Sequence, residues 1–156
     1  MKKLIFMIPL FFVSCVEKDI SSILIQNNKS SDINLFEGEY AVHFMEKQDS
    51  IFSFPISDKE ISEVKKTYEK QNIKNYEKET LVTDDKPLIM PATDIKYIIN
   101  FTDGSKQIFI IRTDFRKNPL DVEKYENLKK FIEKIDMTIK SKKEIQNASK
   151  SDFLHL

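Results

Sequence analysis

The sequence predicts an α+β fold of the form ββα-ββα, a four-stranded antiparallel sheet with two helices on one face. Three features of the 156 residues predict it. Tyr40, Val42 and Phe44, then Phe52, Phe54 and Ile56, alternate with other residues, and the stretch from Ile95 to Ile111 does so again, which is the period of a half-buried strand. Behind each strand pair, apolar residues recur at helical spacing: Ile61, Val64 and Tyr68 in the first half, and Tyr125, Leu128, Phe131, Ile132 and Ile135 in the second. An offset of 57 residues superimposes Tyr40 on Tyr97, Phe44 on Phe101, Ile51 on Ile108 and Phe52 on Phe109.

Ahead of these elements, Met1-Lys2-Lys3 is followed by ten apolar residues, Leu4 to Val13. As a helix this run rises only about 15 Å against a hydrocarbon core of about 30 Å, too little to span. A basic start, a short apolar run and the small residue Ser14 have the layout of a secretory signal over residues 1–14. Phe12-Val13-Ser14-Cys15 resembles the lipobox of bacterial lipoproteins, with Phe12 where leucine is commoner. The resemblance covers about the first twenty residues. It implies that residues 1–14 are cut away and that Cys15 becomes an acylated N-terminus, carrying fatty chains such as palmitate. Two or three such chains, at about 0.8 kcal/mol per buried CH₂, hold a protein to a membrane without a transmembrane helix. The location implied is the cell envelope at a bacterial membrane, the outer membrane first, with the periplasmic and surface faces both open. Glu17 and Asp19 resemble the acidic surface-display signal of Bacteroidota lipoproteins. Cys15 is the single cysteine, so no internal disulfide can form.

Residues 15–36 mix Ser, Asn, Lys and Asp with one apolar patch, Ile23-Leu24-Ile25, and are expected to form a polar tether whose patch docks on the domain or pairs at a sheet edge. The domain is expected over 37–140. Its first hairpin ends at Ser57-Asp58-Lys59-Glu60, a capping box that opens a helix running toward Asn75, with Ile56 and Ile61 placed as a staple. Its second hairpin turns at Asp103-Gly104, read as a type I′ turn in which Thr102 pairs with Ser105. That register puts Ile95, Tyr97, Ile99 and Phe101 with Ile108 and Ile110 on the core face. It leaves Ile98, Phe109 and Ile111 with Lys96, Asn100 and Gln107 on the other face, more apolar matter than a solvated surface carries, so that either a partner or the tether or the Leu81–Pro91 connection is expected to cover it. The second helix is expected to be capped by Asn118 with Pro119 at its first position. Residues 141–156 read as a polar tail.

With residues 1–14 removed, 23 basic and 25 acidic side chains remain, and only Arg112 and Arg116 are arginines, so no nucleic-acid partner is expected. Two glycines, Gly38 and Gly104, leave no material for a phosphate loop. The two histidines, His43 and His155, lie far apart in sequence with no metal-ligand spacing, so neither a metal nor a cofactor is expected. A hydrolytic triad would have to be built on His43 without a nucleophile elbow. Asp84-Asp85 lacks the ligand pattern of a calcium loop. Asp49-Ser50-Ile51 resembles a short O-glycosylation acceptor of Bacteroidota.

These observations predict a small lipid-anchored envelope protein, a non-enzymatic binding module that meets a protein partner through Ile98, Phe109 and Ile111. In size, charge and lack of catalytic motifs it is similar to immunity lipoproteins that block an incoming toxin. Two alternatives remain open at this point: a structural envelope lipoprotein without a discrete ligand, and a hydrolase in which His43 and a carboxylate converge in one pocket.

Overall fold

A seven-stranded mixed sheet, in the order β4-β3-β2-β1-β6-β7-β5, carries the protein. The computed structural model describes residues 18–83, 94–113, 118–148 and 150–151. The signal segment 1–14, Cys15, Asp84-Asp85, Arg116, His155 and the end of the tail lie outside the described residues.

Strand β1 (Ile20–Asn27) buries Ile20, Ile23 and Ile25. It turns at Asn28, whose φ of 50° suits asparagine, into β2 (Ser31–Asn34). Strand β3 (Glu39–Val42) follows a tight loop that ends at Gly38. A side chain there is impossible, because φ is +66° and a Cβ would stand 2.1 Å from the Phe54 carbonyl oxygen. Strand β4 (Ser50–Ser53) pairs with β3 in the expected hairpin, Tyr40 opposite Phe52.

Helix α1 (Asp58–Lys70) starts where expected, with both halves of the Ser57–Glu60 capping box formed. It stops at Lys70, short of the expected Asn75. Asn72 turns left-handed there, and Ile73–Asn75 form a separate 3-10 turn. The chain then enters β5 (Glu79–Thr83), which runs parallel to β7 (Lys106–Arg112), while β7 pairs antiparallel with β6 (Asp94–Phe101). Helix α2 (Val122–Lys140) is capped by Asp121, which accepts from the Lys124 amide at 2.8 Å. The expected cap, Asn118, instead accepts from the Leu120 amide and donates to the Thr83 carbonyl of β5. A short α3 (Lys143–Gln146) closes the described chain.

Four antiparallel strands were the expectation, and seven in a mixed sheet replace them. The predicted hairpins survive as β3–β4 and β6–β7. They do not meet, because β1 and β2 stand between them, and β5 adds a parallel edge beyond β7. The tether expectation fails for the same reason: from Ile20 onward it is the middle of the sheet, where β1 satisfies its backbone on both sides, against β2 and β6. The expected tail also folds back, with Lys142 buried and the Ser151 hydroxyl donating to the His43 carbonyl at 2.6 Å.

Both main helices lie on one face of the sheet. Val64 and Tyr68 of α1 and Leu128, Phe131 and Ile135 of α2 join Ile23, Ile25, Tyr97, Ile99 and Phe109 in a single core. Tyr68 and Phe131 meet edge to face, ring centroids 5.6 Å apart. Each such buried side chain contributes about 1.5–3 kcal/mol relative to exposure.

Candidate binding surface on the open sheet face

The second hairpin has a different register from the expected one. Phe101 donates its amide to Ser105 and accepts from Gly104, so the loop is the three residues Thr102-Asp103-Gly104. Of Asp103 and Gly104, only the glycine has positive φ, +79°, as a three-residue hairpin with a glycine bulge requires. Asp103 stays right of that region and accepts from the Ser105 amide at 2.9 Å and the Ser105 hydroxyl at 2.6 Å. Its carboxyl is held below the usual carboxylate range by those two bonds.

One residue of slip moves a whole strand's side chains to the opposite face. Tyr97 pairs with Phe109, Ile99 with Gln107 and Ile98 with Ile108. Phe109, expected on the open face, is therefore fully buried beneath the helices, and Ile111 lines a cleft with Tyr125, Leu128 and Ile132 of α2. Ile98 alone of the three expected contact residues is on the open face. Gln107 is also buried, donating to the carbonyls of Ile73, Tyr76 and Glu77 and accepting from the Tyr68 hydroxyl.

The sheet face turned away from both main helices nevertheless carries, among the described residues, an apolar patch. Leu24, Ile98 and Ile108 stand directly opposite one another across three adjacent strands, and Ile110 and Leu81 form the next row beyond Lys96. All five are half-buried. The rim is polar: Asn100 donates to the Ser22 hydroxyl at 2.9 Å, and Arg112 grips Asp94 with two bonds of 2.7 and 2.6 Å. That guanidinium holds the Asp94 carboxyl below the usual range. Sequence reasoning missed Leu24, Leu81, Ile108 and Ile110. The signal that finds the β7 pair is the repeat itself, since the 57-residue offset carries Tyr40–Phe52 onto Tyr97–Phe109, the observed pairing in both hairpins.

His43 does meet carboxylates. Its Nδ1 lies 2.7 Å from Asp49 Oδ2 and its Nε2 3.5 Å from Asp32 Oδ2. The hydrogen bond to Asp49 is the larger cause that raises its pKa, and it lowers that of Asp49 in return. A carboxylate beside each nitrogen favours the protonated imidazole and occupies the nitrogens a general base would need free. A second partly buried acid, Asp136, accepts from the Tyr97 hydroxyl at 3.2 Å at the cleft between α2 and the sheet, and burial raises its pKa.

Among the described residues no group of three or more His, Cys, Asp or Glu could hold a metal ion, and no helix is long and apolar enough to cross a membrane. Neither a protein-family model, nor a curated protein, nor a solved structure matches this chain.

Proposed function

We propose that this protein is a lipid-anchored, non-enzymatic binding domain of a bacterial envelope, attached through Cys15 and meeting a protein partner with its open sheet face. The observation that carries the reading is the apolar row Leu24–Ile98–Ile108 on the face opposite both main helices. Apolar patches with a polar rim on a sheet face favour a protein contact. An immunity-type role, in which that partner is an incoming toxin, is the specific form of this reading. The doubly partnered imidazole of His43 counts against the hydrolase alternative.

Two measurements test it. Intact mass and fractionation of natively produced protein should give a chain that begins at an acylated Cys15 in the membrane fraction. Met1 with a free thiol in a soluble pool overturns the anchor. A photo-crosslinker at position 98 should then give one discrete protein adduct in native membranes, abolished by Leu24→Lys, while the same probe at Lys129 on α2 gives none. Adducts from neither position would leave a structural envelope component without a discrete ligand.

A further inference from the structure

We infer that the end of the sheet where β1 begins is a surface for anionic lipid headgroups, and that it sets how the domain sits on its membrane. The inference rests on the anchoring reading above, because it uses the position of Cys15 in the chain. Three residues on from Cys15 comes Lys18, so covalent geometry limits the distance between their Cα atoms to about 11 Å. The chain is fixed from there. The Asp19 amide donates to the Thr102 hydroxyl at 3.2 Å, the Thr102 amide donates to the Asp19 carbonyl at 2.9 Å, and Lys18 Nζ lies 4.0 Å from the centroid of the Phe101 ring. An acylated Cys15 therefore tethers this end of the sheet close to the bilayer.

The end so held carries more lysines than acids even with Glu17 beside the anchor counted, although the whole chain is balanced at 25 basic and 25 acidic residues. Two adjoining clefts share Lys18. Around them stand Lys18, Lys65, Lys66, Lys74, Lys78 and Lys106. The acids lining the clefts are Asp19, 2.6 Å from Lys65, and Glu69, 3.2 Å from Lys74. Asp103 on the adjacent hairpin also feels the Lys18 charge. Lysine ammonium groups are compact, hydrated charges on flexible stems, suited to a fluid layer of phosphate headgroups more than to one rigid ligand. The Debye length is about 8–10 Å, so lysines held at the anchored end are those whose attraction to a charged surface is least screened. A lysine at an anionic leaflet favours binding about fivefold.

The test is acetylation footprinting of the natively processed protein, added to vesicles of phosphatidylcholine alone or of phosphatidylethanolamine with phosphatidylglycerol. Association with both vesicle types, with labelling of Lys74, Lys78 and Lys106 slowed about fivefold only on the anionic vesicles and restored by 0.5 M salt, supports the inference. Lys129, Lys130 and Lys143 should label equally in all conditions. Association with both and no protection overturns the headgroup surface while the anchor stands. Association with neither overturns both. Equal protection on the two vesicle types overturns the electrostatic part, and protection by inorganic phosphate without vesicles assigns the site to a free anion instead. The triple variant Lys74→Glu, Lys78→Glu, Lys106→Glu should lose the anionic preference, whereas Lys129→Glu, Lys130→Glu keeps it. Should the triple variant not fold, the wild-type footprint still decides.

Discussion

Lys142 Nζ lies 2.6 Å from Glu60 Oε1, so the far end of the chain is bonded to the first turn of α1 across 82 residues. The other oxygen of Glu60 accepts from the Ser57 amide at 2.9 Å and the Ser57 hydroxyl at 2.8 Å. One carboxylate thus closes both the helix cap and the C-terminal fold. The Lys142 bond first, and the Ser57 bonds second, hold Glu60 at a pKa of about 2.

Glu60→Gln and Lys142→Met are each expected to cost about 1–2 kcal/mol at pH 7, and the double variant less than their sum. The pH dependence follows from the lowered pKa. The charged form is favoured in the folded state, so this contribution is complete above the unfolded value of 4.5 and is lost as pH falls from there through about 2. Urea midpoints of wild type and Glu60→Gln should therefore differ at pH 7 and converge near pH 2. An equal gap at both values would show that the substitution acts through packing and not charge.

The parts of the fold legible in the sequence were those fixed by local chemistry. The Ser57–Glu60 box, the Tyr40–Phe52 hairpin and the stripe of α2 all declare themselves within one turn or one strand pair. What stayed hidden depends on distant partners. Strand β1 is buried on one face and half-buried on the other, so Ile23-Leu24-Ile25 shows no alternation, and the Ser and Asn around it look like linker. Strand β5 has five residues and gains its place only through parallel pairing with β7. The residues of the candidate surface were misread, because the Asp103-Gly104 rule chose the wrong loop length and put Phe109 and Ile111 where Ile108 and Ile110 stand.

That exchange has a direct energetic test. Phe109 has no exposed surface, whereas Ile108 and Ile110 are half-buried on the open face. Phe109→Ala should cost about 3–5 kcal/mol, and Ile110→Ala no more than about 1–1.5 kcal/mol. Denaturant unfolding of the two variants decides the register of β7. The reverse order would restore the two-residue turn.

Gln107 gives a prediction of a different kind, about polar burial. Its amide nitrogen has two hydrogens shared among three carbonyls, those of Ile73 and Tyr76 at 3.1 Å and Glu77 at 3.3 Å, and its oxygen accepts from Tyr68 at 2.9 Å. This one side chain ties the loop between α1 and β5 to the sheet. Gln107→Leu fills the space but strands those groups, and is expected to cost about 2–4 kcal/mol. Tyr68→Phe removes one bond and leaves Gln107 its carbonyls, for about 1 kcal/mol. Hydrogen exchange should show the amides of Asn75 and Tyr76 deprotected in Gln107→Leu and protected in Tyr68→Phe. If Gln107→Leu were neutral, the network would be ornamental to stability.

The histidine prediction separates a charge clamp from a catalytic base. With Asp49 2.7 Å from Nδ1 and Asp32 3.5 Å from Nε2, the His43 pKa is raised above its ordinary 6.5, chiefly by the Asp49 bond. A raised pKa means that the clamp's stabilisation is fully present below 6.5 and is lost as pH rises through the folded value. In NMR, the His43 ring should titrate above 6.5 in wild type and closer to 6.5 in Asp49→Asn, with a smaller shift in Asp32→Asn. The same clamp holds the backbone to which Ser151 is bonded, so His43→Ala should also loosen the C-terminal segment, read as faster exchange of the amides around Gln146 to Ala148. A base poised for catalysis would instead keep Nε2 free for a substrate proton, so a His43 titration that Asp32→Asn leaves unmoved would reopen the hydrolase reading.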